Sequence, residues 1–282
     1  RYSRKHLDWT PSDQNFWMFS WHEIGMYDIP AMIDHITEKT EQKKIFMVSH
    51  SQGGTAFFVM ASERPEYQEK IVASFALAPA VFMSRTKSPL FQMLAPFSNH
   101  FKLLADLIGL YEFKPSDKLI QMVGSKLCRD ESLLQPLCKN IMFLYAGVDK
   151  DLNTTLLPLI TQYDPAGASV RQFVHYGQSI HTGKFRKFDY GLLGNVKKYG
   201  KILPPDYNLS NVKLPVYLYY GGNDIFVDVQ NLHQLYDALP NVQKFLIPSD
   251  NFAHVDFVWG KHADTWVYNE ILSILERYKK EI

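Results

Sequence analysis

Apolar residues in this chain come in two rhythms. Mostly apolar runs at Ile45-Phe46-Met47-Val48, Ile71-Val72-Ala73-Ser74-Phe75-Ala76-Leu77, Leu214-Pro215-Val216-Tyr217-Leu218-Tyr219-Tyr220 and Lys244-Phe245-Leu246-Ile247-Pro248 read as strands. Helical spacing appears over residues 13–40, where Phe16, Met18, Phe19, Ile24, Tyr27, Met32 and Ile33 supply an apolar side. Pro30 is expected to bend or break that helix. A second helix is expected from Thr55 to about Ser62, between the first two strands. Strand alternating with helix predicts an α/β fold with a mostly parallel sheet. After Val81 the regularity stops. Short amphipathic pieces such as Phe101 to Leu110 follow, then Pro115, Pro136, Pro158, Pro165, Pro204 and Pro205, until alternation resumes at about 212. The expected organisation is a core from residues 1–82 and 209–282, with a largely helical cap at 83–208. That cap would cover the C-terminal edge of the sheet, lining a pocket and forming a lid.

Chemistry enters at the end of the first strand run. In Ser49-His50-Ser51-Gln52-Gly53-Gly54, Ser51 has small residues two positions before and after it, between a strand and a helix. That is the layout of a nucleophile elbow, in which a sharp turn holds a serine hydroxyl above the sheet. Ser49 departs from the pattern by replacing its first glycine. The third run ends in Gly221-Gly222-Asn223-Asp224, and a polar loop after the fourth leads to Ala253-His254-Val255-Asp256. Serine, acid and histidine therefore follow the order Ser51, Asp224, His254, as in α/β-hydrolases and unlike chymotrypsin or subtilisin. Each lies just beyond a strand, where open α/β sheets place their sites. A serine hydroxyl needs a base, imidazole is suited to that work, and a carboxylate fixes the imidazole tautomer. The backbone N–H of Gln52 is the expected donor to a developing oxyanion. Asp228 and Asp256 are alternative acids by proximity. Asp228 is expected in the first turn of the following helix, and Asp256 at the start of another, pointing away.

Composition narrows the reading. The chain has 282 residues, 46% of them hydrophobic, and a net charge of +1. This suffices for a substantial core and argues against a nucleic-acid binder. No apolar run reaches the roughly 18 residues of a transmembrane helix, and no secretory signal is visible. Cys128 and Cys138 fit one short-loop disulfide or two unrelated buried thiols. Asn153-Thr154-Thr155 and Asn208-Leu209-Ser210 match the glycosylation pattern, of which roughly one or two are expected by chance.

Longer blocks carry a resemblance. Ser3-Arg4-Lys5-His6, Phe16-Trp17 through Pro30-Ala31, His50-Ser51-Gln52-Gly53, Ala76-Leu77-Ala78-Pro79, Pro165 through Val170, Phe188-Asp189-Tyr190-Gly191, Gly221 through Asp224 and His254 through Gly260 run the length of the chain. In these the sequence resembles the animal acid lipases, the group of gastric and lysosomal acid lipases and their insect relatives. The resemblance implies hydrolysis of neutral lipid esters, triacylglycerols or cholesteryl esters, at a lipid–water interface, without cofactor or metal and by a monomer. It implies Ser51 as nucleophile, Asp224 as acid, His254 as base and a Cys128–Cys138 bridge in the cap. A secreted or lysosomal glycoprotein follows, which favours both sequons. Family members also carry, upstream of the position of Arg1, a strand with a His-Gly-hydrophobic loop that gives a second oxyanion donor. The chain is therefore expected to be the larger, C-terminal part of a longer precursor, with the first strand run left unpaired on one side and the piece inactive and poorly soluble alone. Two rivals remain: a catalytically silent homologue that binds lipid or a protein partner, and an enzyme of the same fold that cleaves other acyl bonds, as an esterase on shorter acyl chains or a peptidase would.

Overall fold

A computed structural model describes residues 4–94, 109–113, 151–164 and 166–281. Cys128 and Cys138, and most of the amphipathic piece 101–110, lie outside them.

Four parallel strands form the central sheet: β1 (Ile45–His50), β2 (Ile71–Leu77), β5 (Val216–Tyr220) and β6 (Val242–Leu246), in the order β1-β2-β5-β6. The short β3 (Glu112–Phe113) and β4 (Ala168–Ser169) pair separately and antiparallel. β2 coincides with its apolar run. β1 extends beyond its run through Ser49 and His50, because the chain stays extended until it turns at Ser51. β6 begins two residues before its run. It is an edge strand, and its exposed Gln243 and Lys244 dilute the apolar signal. β1 is the opposite edge, with Val48 half-exposed.

The helix Gln52–Glu63 after β1 is the centre of the core. Phe57, Phe58, Val59, Met60 and Ala61 on it are completely buried, as befits a helix apolar on every side. It starts three residues earlier than expected, since Gly53 and Gly54 form its first turn. One cluster joins it to the sheet and to Tyr176, Phe185 and Tyr207 from the region between β2 and β5.

Pro30, expected to bend or break the helix, does not break it. Trp21–Glu23, Ile24–Asp28 and Ile29–Thr40 run on end to end as α, π and α segments. Ser20 caps the start: its Oγ accepts the His22 N–H, and its own N–H donates to Glu23 Oε2 at 2.7 Å. The π turn, with the Ile29 N–H donating to the Ile24 carbonyl, places Pro30 in the first turn of the next α segment, where a missing N–H is tolerated. Pro30 cannot donate to the Met26 carbonyl four residues back, and Arg64 Nη1 donates to it at 3.0 Å. A helix with an outside donor for that carbonyl continues past its proline.

Candidate active site

Ser51 occupies the turn between β1 and the helix Gln52–Glu63 with φ 54° and ψ −118°, a region that a non-glycine residue enters only under strain of about 1–3 kcal/mol. The surroundings hold it there. Its N–H donates to the Leu77 carbonyl at 3.0 Å, and its carbonyl accepts the N–H groups of Gly54, Thr55 and Ala80 at 3.0–3.3 Å. The tight approach that demands glycine falls at Gly54, where a Cβ would lie 2.7 Å from Pro79 Cβ. Ser49 meets only ordinary contact, 3.5 Å from a Cβ placed on Gly53, so a serine fits where the pattern has glycine.

Asp224 and His254 arrive from β5 and β6. Gly221 lets the chain leaving β5 pass under the His254 loop, since a Cβ there would be 2.3 Å from the Phe252 carbonyl oxygen. The buried Asp224 carboxylate accepts the N–H groups of Phe226 and Val227 on Oδ1, at 2.8 and 2.9 Å. Its Oδ2 accepts from His254 Nδ1 at 2.8 Å. On the other side of the ring, His254 Nε2 lies 2.7 Å from Ser51 Oγ. Ser51, His254 and Asp224 thus form one hydrogen-bonded chain. Asp228 and Asp256 are engaged elsewhere: Asp228 caps the helix Val229–Ala238 through the Gln230 N–H, and Asp256 accepts the Ala253 N–H at 2.7 Å. Gln52 opens the helix after Ser51, where first-turn N–H groups point outward without helical acceptors.

Several contributors escaped the sequence reading. The His254 ring lies between those of Phe226 and His50, each 4.8 Å away. His50 Nε2 donates to the His254 carbonyl at 2.8 Å. Burial, and then the neighbouring His254, push the His50 imidazole down to about 4, so it is a neutral donor over most of the acidic range. Its signal was present in the His-Ser pair of the elbow, but nothing in the spacing pointed to a bond across 204 positions. Thr55 Oγ1 donates to the Ala80 carbonyl at 2.8 Å and lies 3.0 Å from the Tyr176 hydroxyl, whose acidity burial suppresses. Beyond His254, the chain is tied to residues 151–153. Leu152 bridges Gly260, the Asn153 N–H donates to the Trp259 carbonyl, and His262 Nδ1 pairs with Asp151 Oδ1.

A cavity of about 450 Å³ opens over Ser51, Gln52 and His254, walled by apolar side chains including Phe91, Phe173, Phe226, Val258 and Trp259. That volume is within the range of small-molecule sites. Of the sequon asparagines, Asn208 is exposed and Asn153 partly buried. In each, the hydroxyl two residues on donates to the asparagine Oδ1, at 2.7 and 2.5 Å. Among the described residues, no helix is long and apolar enough to cross a membrane.

Parallel sheet, elbow and strand-end residues together define an α/β-hydrolase, and residues 2–261 match the family model for the alpha/beta hydrolase fold. The yeast Saccharomyces cerevisiae monoglyceride lipase, in a soluble variant, superimposes with a TM-score of 0.51 at 14% identity, over 96% of this chain and 73% of that one. A putative non-heme bromoperoxidase of Mycobacterium tuberculosis does so at 0.52 and 13%, over 92% and 75%, a likeness of fold alone. Sequence relatives are nearer. Lipase 3 of Drosophila melanogaster is 45% identical, over 99% of this chain and 71% of the relative. Bovine gastric triacylglycerol lipase is 38% identical over 99% and 70%, and human lysosomal acid lipase/cholesteryl ester hydrolase 34% over 99% and 69%. The chain belongs to the lipase family that contains these proteins, and spans about 70% of the length of each.

Proposed function

We propose that this chain hydrolyses the carboxylic esters of neutral lipids, triacylglycerols or cholesteryl esters, through an acyl-enzyme on Ser51. The observation that carries the reading is the continuous bond from Ser51 Oγ through His254 to Asp224, opening on an apolar cavity. His254 Nε2 takes the Ser51 proton as Oγ attacks the ester carbonyl, and Asp224 holds the imidazolium that forms. The Gln52 N–H donates to the oxyanion. Collapse expels the alcohol, which leaves with the proton from His254. Water, activated by the same histidine, then releases the fatty acid and restores Ser51.

Residues 83–208 are the proposed cap, with Phe91 and Phe173 from it walling the cavity. The names of the gastric and lysosomal relatives favour a secretory-pathway protein, with which a Cys128–Cys138 bridge and glycans on Asn153 and Asn208 are consistent. A monomer acting at a lipid–water interface completes the reading. Ser51→Ala tests it. The variant is expected to keep its thermal midpoint and to lose both ester hydrolysis and labelling by a serine-directed phosphonate. Labelling that persists would move the nucleophile elsewhere. Rates on short against long acyl esters separate a lipase from an esterase.

A further inference from the structure

Five large aliphatic side chains crowd the surface between Gly191 and Pro204 without covering one another. Leu192, Leu193, Val196, Ile202 and Leu203 are 47–81% exposed. On the helix Leu192–Tyr199, Leu192, Leu193 and Val196 share one arc, while Asn195 and Tyr199 turn inward. The inward side is pinned. Buried Asn195 accepts the Tyr190 N–H on Oδ1, and its Nδ2 donates to Asp189 Oδ1 and to the Ile202 carbonyl, at 2.8–2.9 Å. The Tyr199 hydroxyl donates to the Phe188 carbonyl at 2.9 Å. Gly200, left-handed at φ 68°, turns the chain so that 201–203 folds back beside the helix. A fixed frame therefore holds the aliphatic groups out in water.

Every charge between Gly191 and Pro204 is positive. Lys197, Lys198 and Lys201 are exposed, and among the described residues none is ion-paired. The Asp189 carboxylate is turned to Asn195 and the Gly191 N–H. Aliphatic groups rimmed by lysines complement a surface that is apolar beneath and anionic on top. We propose that the 192–203 face docks this protein onto a layer of anionic lipid, with the aliphatic side chains among the acyl chains and the three lysines at headgroup level. The face is distinct from the catalytic cavity. The helix Val170–Thr182 turns Gln172, Phe173 and Tyr176 to the cavity, while its Gln178 bonds Asp189 at the base of this face. The inference rests on the lipase reading for the need to reach a lipid surface, and it supplies the surface's charge.

The test is sedimentation with vesicles of ether-linked lipids, which nothing can hydrolyse. One set is phosphatidylcholine, the other equimolar phosphatidylcholine and phosphatidylglycerol. The parent protein is expected to bind the mixed vesicles about 100-fold more tightly. Leu193→Ser combined with Ile202→Ser should weaken that binding about tenfold or more. Replacing Lys197, Lys198 and Lys201 with Gln should remove the preference for the anionic vesicles, at about fivefold per lysine. Leu272→Ser, on the exposed side of the C-terminal helix, should bind as the parent does, and all variants should hydrolyse a soluble short-chain ester at the parent's rate. Unchanged binding by the Leu193→Ser, Ile202→Ser double variant, or an equal loss in Leu272→Ser, overturns the proposal. So does self-association that the face substitutions abolish while vesicle binding stays, which would give the face to a second copy. Vesicle binding without ester hydrolysis would instead sink the lipase reading and leave the docking face standing.

Discussion

Gly221→Ala should disable the site from a position that touches none of the reacting groups. The added Cβ would sit 2.3 Å from the Phe252 carbonyl oxygen, and the two segments must part by about 1 Å to reach ordinary contact. Gly221 lies three residues before Asp224, and Phe252 two before His254. Carried through undiminished, that separation lengthens the 2.8 Å bond between Asp224 and His254 to about 3.8 Å, beyond hydrogen bonding. Misplacement of this size costs about 100-fold in turnover. Overpacking should also cost about 1–3 kcal/mol of stability, so kcat must be read on a soluble ester well below the thermal midpoint. The Nδ1–H proton resonance of His254 reports the bond independently. Gly222→Ala is the control, since a Cβ there meets nothing within 4 Å. If Gly221→Ala keeps kcat within about threefold of the parent and the His254 proton resonance unmoved, the close crossing does not position Asp224 and His254.

Acid should weaken the fold through its buried imidazoles. The unfolded chain protonates histidine near 6.5, while burial holds His50 neutral to about 4 and His175, stacked on Trp21, to about 3. Between those values the unfolded state binds more protons, so stability is lost as pH falls from about 6.5, on the order of 3 kcal/mol for His50 alone by pH 4. His254 and Asp224 face His50, and His22 and Arg171 act on His175. His50→Gln, which can still donate but does not titrate, should flatten the urea midpoint between pH 7 and pH 4; an unchanged slope would assign the loss to other groups. Thr55→Val should cost about 1–3 kcal/mol in urea unfolding by leaving the Ala80 carbonyl without its donor, whereas Thr55→Ser should be nearly neutral. Equal losses in the two variants would place the effect in packing.

Strands buried on both faces announced themselves: β2 could be read from composition alone because every neighbour selects apolar side chains there. β6 could be read only in part, since an edge strand with Gln243 and Lys244 in water carries half the signal. Pro30 misled because its cost depends on what else can donate to the Met26 carbonyl, and Arg64 comes from 38 positions away. The placement of Ser51, His254 and Asp224 was legible because a turn must follow each strand, and turns are written in small and polar residues. His50 and Thr55 were not, since each acts through side-chain hydrogen bonds to groups distant in sequence, which leave no periodic trace.

The strand order also governs when activity can appear during folding. Ser51 and His254 are 203 positions apart, and β2 and β5 lie between the strands that deliver them. No local segment, hairpin or half-sheet contains the relay. It closes only when β2 has paired with β5 across the long region between them, the kind of non-local contact that forms slowly. A nascent or partly folded chain therefore carries Ser51 with His254 out of its reach. Recovery of turnover during refolding then dates the final closure of the sheet, and should trail the recovery of helical signal.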